Sequence, residues 1–185
     1  MAEYYLMSQL PALDGAGESA PPPIGEEQFL ELCSRFMDEE ALRELRELSL
    51  TPPTVPAHSR SPLVEAWNEG ERNLRLALAK VRAEKLKKPF DLGGRTLTAD
   101  LIKVATTAAE MDSPLEAEAL LHRHRLTLLE SLRPMNGFSE DAVFYYGLKL
   151  KLILRIRQFD AALGETAYRN IYNSILSGDG LEAIE

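Results

Sequence analysis

The stretch from Ser61 to Lys88, SPLVEAWNEGERNLRLALAKVRAEKLKK, constrains the fold more than any other part of the chain. Ser61 is a good N-cap, and Pro62 falls at the first helical position, where its missing N–H costs nothing because that donor has no intrahelical acceptor. From there Leu63, Trp67, Gly70, Leu74, Ala77 or Leu78, and Val81 recur at steps of three and four, which draws one apolar stripe along a helix. Such a stripe has to lie against other parts of the protein. Trp67 within it reads as core, since large apolar side chains are mostly buried. Beside the stripe run Asn68, Glu71, Arg75 and Arg82, which read as a solvated flank in which Glu71 and Arg75, one turn apart, pair with each other.

Similar start and stop signals divide the remaining chain. A helix is predicted from about Glu26 to Met37, with Phe29, Leu30 and Cys33 inward, and Asp38 caps a second one to about Leu48. A short helix from about Thr98 to Met111 follows a Gly93-Gly94 turn in which no phosphate-loop pattern is present. Ser113-Pro114-Leu115-Glu116 is a capping box, opening a helix to about Leu132 with Leu120, Leu121, Leu128, Leu129 and Leu132 inside. Ser139 starts a long helix to about Leu163, stopped by Gly164, and a final helix covers about Glu165 to Leu176. The long one carries apolar residues on two faces and reads as the centre of a bundle. With no strand pattern and no repeat, the expected fold is all-α, an irregular bundle of about six to eight helices with an N-terminal arm. Residues 1–24 read as that arm and a Pro-rich strap, 25–178 as one helical domain with a Pro-rich loop over 51–60, and 179–185 as a mobile tail.

Charge and cysteine usage narrow the function. A net charge of −8 argues against general nucleic-acid binding, which would require a basic footprint. The cations Arg72, Arg75, Lys80, Arg82, Lys85, Lys87 and Lys88 form a local basic surface, but few aromatics accompany them. The single cysteine, Cys33, lies on an apolar helix face and reads as a buried, inert small hydrophobe, consistent with a reducing, cytoplasmic setting. His122 and His124 are two residues apart on a helix and point in different directions, so they read as exposed or boundary histidines, not metal ligands. Glu39, Glu40, Glu44 and Glu47 are interleaved with Arg43 and Arg46 and read as a solvated face. No catalytic group, cofactor or metal is expected, and no signal peptide or membrane span is read.

The run Trp67-Asn68-Glu69-Gly70-Glu71-Arg72-Asn73-Leu74-Arg75, followed by Val81-Arg82-Ala83-Glu84-Lys85-Leu86, resembles a family of short bacterial proteins encoded beside V-type ATPase subunits. That family is in turn similar to the C subunit (d in eukaryotes) of these ATPases. Three further segments resemble it: Tyr4-Tyr5-Leu6-Met7-Ser8-Gln9-Leu10-Pro11, the stretch Pro21 to Cys33, and Tyr146-Gly147-Leu148-Lys149-Leu150-Lys151. The resemblance implies a non-catalytic helical adaptor linking the central rotor stalk to the proteolipid ring, peripheral to the inner membrane through those partners. An assembly or regulatory factor of the same ATPase, or an unrelated interaction or small-molecule-binding domain, is the alternative. It points to Trp67, Glu71, Arg72, Asn73, Leu74, Arg75 and Arg82, with Tyr146, Lys149 and Lys151, and leaves open whether they pack or contact a partner. The C subunit is a considerably longer, repeated helical funnel, so this chain would fill its position only in reduced form.

Overall fold

The helix opened by Ser61 forms where its spacing requires. A computed structural model describes residues 2–14, 21–55, 58–159 and 161–177. Its helices are α1 (Ala2–Gln9), α2 (Glu26–Ser34), α3 (Glu39–Glu47), α4 (Pro62–Lys85), α5 (Ala99–Glu110), α6 (Pro114–Ser131), α7 (Glu140–Ile156) and α8 (Ala161–Ser177), with no strand among the described residues. The start signals work as capping chemistry. The side chains of Asp38, Ser61, Thr98, Ser113 and Ser139 each accept a hydrogen bond from the N–H three residues on, satisfying a donor that the helix cannot.

α7 is the centre. Phe144, Leu148, Leu150 and Leu152 are fully buried on different sides of it, and α1, α2, α4 and α6 pack around it. Gly147 allows a close approach on one side, because a Cβ there would stand 3.2 Å from both Phe29 of α2 and Leu48 at the end of α3. α5 is held away from this centre, against α4 and α6.

The interior is thereby divided in two. One apolar cluster gathers Leu6, Phe29, Cys33, Leu45, Trp67 and Leu129 around α7. A second joins Leu74, Ala77, Leu78 and Val81 of α4 to Ala105 and Ala108 of α5 and Leu121 of α6. α4 and α6 run through both clusters, and the passage from one to the other is where the polar chemistry lies.

Four sequence expectations need correction. The long helix does not reach Leu163: it ends at Ile156, and Gly164 lies inside α8. A glycine within a helix costs only about 1 kcal/mol relative to alanine, so it stops a helix only where the chain turns left-handed. The inner face of α6 is Leu121, His122, Arg125 and Leu129, with Leu120, Leu128 and Leu132 only partly covered. His122 is accordingly buried, not exposed or at the boundary. Glu71 does not belong to a solvated flank either, for it is 0% exposed. The middle of the strap, residues 15–20, and the tail expected over 179–185 lie outside the described residues.

Candidate functional site

Glu71 sits between Trp67 and Leu74 on α4, and Arg125 between Leu121 and Leu129 on α6, so both occupy stripe positions where an apolar residue is the usual choice. At the waist between the clusters they meet. Arg125 Nε donates to Glu71 Oε2 at 3.0 Å and its Nη2 to Glu71 Oε1 at 3.1 Å, a two-pronged pair. Arg75 Nε adds a bond to Glu71 Oε1 at 3.0 Å, as the one-turn spacing predicts. Arg125 Nη1 also reaches Glu118 Oε1 at 3.2 Å, and Arg155 of α7 reaches the same oxygen at 2.8 Å. The network therefore ties α4, α6 and α7 together. Burial opposes the charge on Arg125, but the hydrogen bonds and charge of Glu71, with Glu118, outweigh it and hold the guanidinium above its ordinary pKa. The half-buried imidazole of His124 shifts the other way, downward, through burial and the neighbouring Arg125 charge.

A fully buried carboxylate that accepts three guanidinium hydrogen bonds is a structural tie, closed to solvent. The chemistry of Cys33 is muted too: the side chain is buried, and desolvation pushes its thiol pKa up to about 12. Cys33 is expected to resist a disulfide-exchange reagent at pH 8 in the native state and to react fully in denaturant. Fast native labelling, followed by absorbance of the released thiolate, would contradict its burial. Among the described residues no group of three or more His, Cys, Asp or Glu could hold a metal ion. Glu39, Glu40 and Glu47 are exposed on α3, while Glu44 accepts from the Ser59 hydroxyl and the Arg60 N–H.

The residues singled out from the sequence fall into three groups. Trp67, Glu71 and Leu74 are interior, with Arg75 capping Glu71 from the half-open side and reaching Thr51 at 3.2 Å. Tyr146, Lys149 and Lys151 fasten the N-terminal segments to α7. The Tyr146 hydroxyl donates to the Pro11 carbonyl at 2.9 Å and its ring stacks on Phe29, Lys149 meets Asp14 and Glu130 at 3.1 and 3.0 Å, and Lys151 pairs with Glu26. Arg72, Asn73 and Arg82 are left toward the outside: Arg72 reaches Glu69 and the Pro53 carbonyl, Asn73 is half-buried, and Arg82 is exposed. Arg125, Glu118 and Arg155 were missed. A signal for Arg125 was present, because a cation four residues from two buried leucines on the same helix face demands an internal partner.

Beneath the arm lies a cavity of about 230 Å³ lined by Met7, Leu10, Leu13, Arg133, Tyr145 and Lys149. It is smaller than the roughly 300–1,000 Å³ usual for ligand pockets. Its charges are also engaged. Lys149 holds Asp14 below the ordinary carboxylate range, and Glu130 is lowered by the Tyr145 hydroxyl and then by Lys149. Tyr145 is raised by burial and by Glu130, though their approach falls short of a well-formed hydrogen bond. No helix among the described residues is long and apolar enough to cross a membrane. No family model, curated protein or solved structure matches the chain.

Proposed function

We infer that the protein is a non-catalytic adaptor or accessory subunit of a V-type ATPase, acting between the central stalk and the proteolipid ring. The observation that carries this reading is the convergence of the four segments that resemble the ATPase-associated family. The Tyr4–Pro11 arm, the Pro21–Cys33 stretch and the Tyr146–Lys151 segment, up to 135 residues apart, are joined by Tyr146 to Pro11, Phe29 to Tyr146 and Lys151 to Glu26, and the Trp67–Leu86 helix enters the same cluster through Trp67.

Exposed apolar surface favours an adaptor over a small-molecule domain. Tyr4, Tyr5, Met135 and Phe138 are exposed, with the Tyr4 and Phe138 rings 4.7 Å apart, and Tyr168, Ile171 and Tyr172 are exposed on α8. Exposed aromatic side chains grouped as Tyr4, Tyr5 and Phe138 are, and as Tyr168 and Tyr172 are on α8, are a feature of protein contact sites. The cavity under the arm has its charges already paired, and the larger groove of about 540 Å³ between α3 and the loop before α4 is lined mainly by polar and charged side chains such as Glu40, Arg43, Glu44 and Arg60, unlike the mostly apolar sites usual for small ligands.

Affinity purification of the tagged protein from gently solubilised native cells, followed by mass spectrometry, tests the reading. Stalk and proteolipid subunits are expected to be recovered, with reduced yield for Arg82→Glu, which changes an exposed residue outside the Glu71 network. Recovery only with incomplete complexes would indicate an assembly factor. Recovery of no ATPase subunit, under conditions that keep the complex whole, would overturn the assignment.

A further inference from the structure

The chain carries its positive charge unevenly. Residues 82–95, RAEKLKKPFDLGGR, hold five cations and two acids, in a protein whose net charge is −8. They form the end of α4 and the loop beyond it, where every residue from Lys85 to Asp91 is exposed. Two of these are apolar: Leu86 is 65% exposed and Phe90 39%. Lys85 and Arg95 are engaged, with the Ala109 carbonyl and Glu69 respectively, whereas no ion pair among the described residues engages Lys87 or Lys88.

The backbone adds an independent observation. α4 ends with the Lys88 N–H donating to the Ala83 carbonyl at 2.9 Å and the Lys87 N–H to Glu84 at 3.1 Å. This arrangement puts the residue at 87 in the left-handed region, and Lys87 has φ +52°. Glycine is the usual occupant because a Cβ there crowds the backbone. A lysine at a position that favours glycine points to a use for its charge and reach beyond the fold.

We propose that this tip, Leu86 to Phe90, docks on an anionic phospholipid surface. Lysines interleaved with a leucine and a phenylalanine suit a lipid interface: flexible stems let the ammoniums find headgroups while the apolar side chains enter the boundary below them. Protein interfaces favour arginine and are depleted in lysine, and a diffuse anionic surface needs no fixed fork geometry. Since the remaining chain is strongly acidic, an anionic membrane repels the body and attracts the tip, which sets the orientation of approach. Docking of this kind stands independently of any ATPase partner.

Sedimentation of the purified full-length protein with vesicles tests it. Binding is expected with phosphatidylcholine mixed with phosphatidylglycerol, not with phosphatidylcholine alone, and release is expected as salt rises from about 0.1 M to about 1 M. Lys87→Gly with Lys88→Gln should weaken binding about twenty-five-fold, at about fivefold per lysine near an anionic surface. That loss would not be a folding defect, because glycine relieves the left-handed strain, and circular dichroism checks this. Phe90→Ser should weaken binding without changing its salt dependence. Equal sedimentation with both vesicle types, sedimentation with neither, or variants that bind like the parent would each overturn the proposal. If the lysine variant instead loses a protein from the affinity purification while vesicles are ignored, the tip serves an acidic protein and the lipid proposal fails.

Discussion

Replacing Glu71 by alanine is expected to cost about 3–5 kcal/mol of folding stability, the usual penalty for stranding one member of a buried ion pair. The expectation rests on two residues. Glu71 is fully buried, and Arg125, which it neutralises with two hydrogen bonds, is 6% exposed. Without Glu71 the Arg125 guanidinium keeps only Glu118, which it shares with Arg155. A domain of this size is stable by about 5–15 kcal/mol, so the loss would remove a large share of its stability. Denaturant unfolding followed by the fluorescence of Trp67, the chain's single tryptophan, gives the measurement. Glu71→Gln should fall between, as it keeps the shape and loses the charge. Glu71→Leu with Arg125→Met should recover much of the loss, because removing both charges leaves neither stranded. A cost under about 1 kcal/mol for Glu71→Ala would mean that water reaches Arg125, and the waist would not be dry.

Trp67→Ala should be comparably severe, at about 3–5 kcal/mol for emptying the space of a large buried aromatic side chain. Trp67 is 0% exposed and joins the stripe of α4 to the cluster around α7. Its indole N–H has no hydrogen-bond partner among the described residues, so the whole cost is packing. Trp67→Phe should therefore lose far less, having no bond to break. Circular dichroism melting replaces fluorescence for both variants. If Trp67→Phe were as damaging as Trp67→Ala, an unrecognised indole bond would be the explanation. Because Trp67 and Glu71 are one helical turn apart, their effects should not add.

The helix starts were legible because each depends on residues within one turn of chain. Ser61 with Pro62, Ser113 with Pro114, and Asp38 cap helices that begin where those residues stand. The stripe of α4 was equally legible, since an apolar period on a helix leaves one face to bury. Gly164 misled because a stop signal is only a permission: glycine allows a left-handed turn without requiring one, and α8 runs through it. Arg82 and the basic end of α4 were visible as composition, whereas the left-handed Lys87 that singles out the tip required the backbone.

By itself, then, the sequence determined an all-helical chain, the positions of most helix starts, the burial of Trp67 and Cys33, and the Glu71–Arg75 pair at one-turn spacing. Only the tertiary structure decided that the interior is split into two apolar clusters, and that Glu71 closes the waist with Arg125, 54 residues away. The reason is range. Caps and periodicity act through the local backbone, whereas the partner of a buried charge depends on how two helices cross, which neither helix specifies alone.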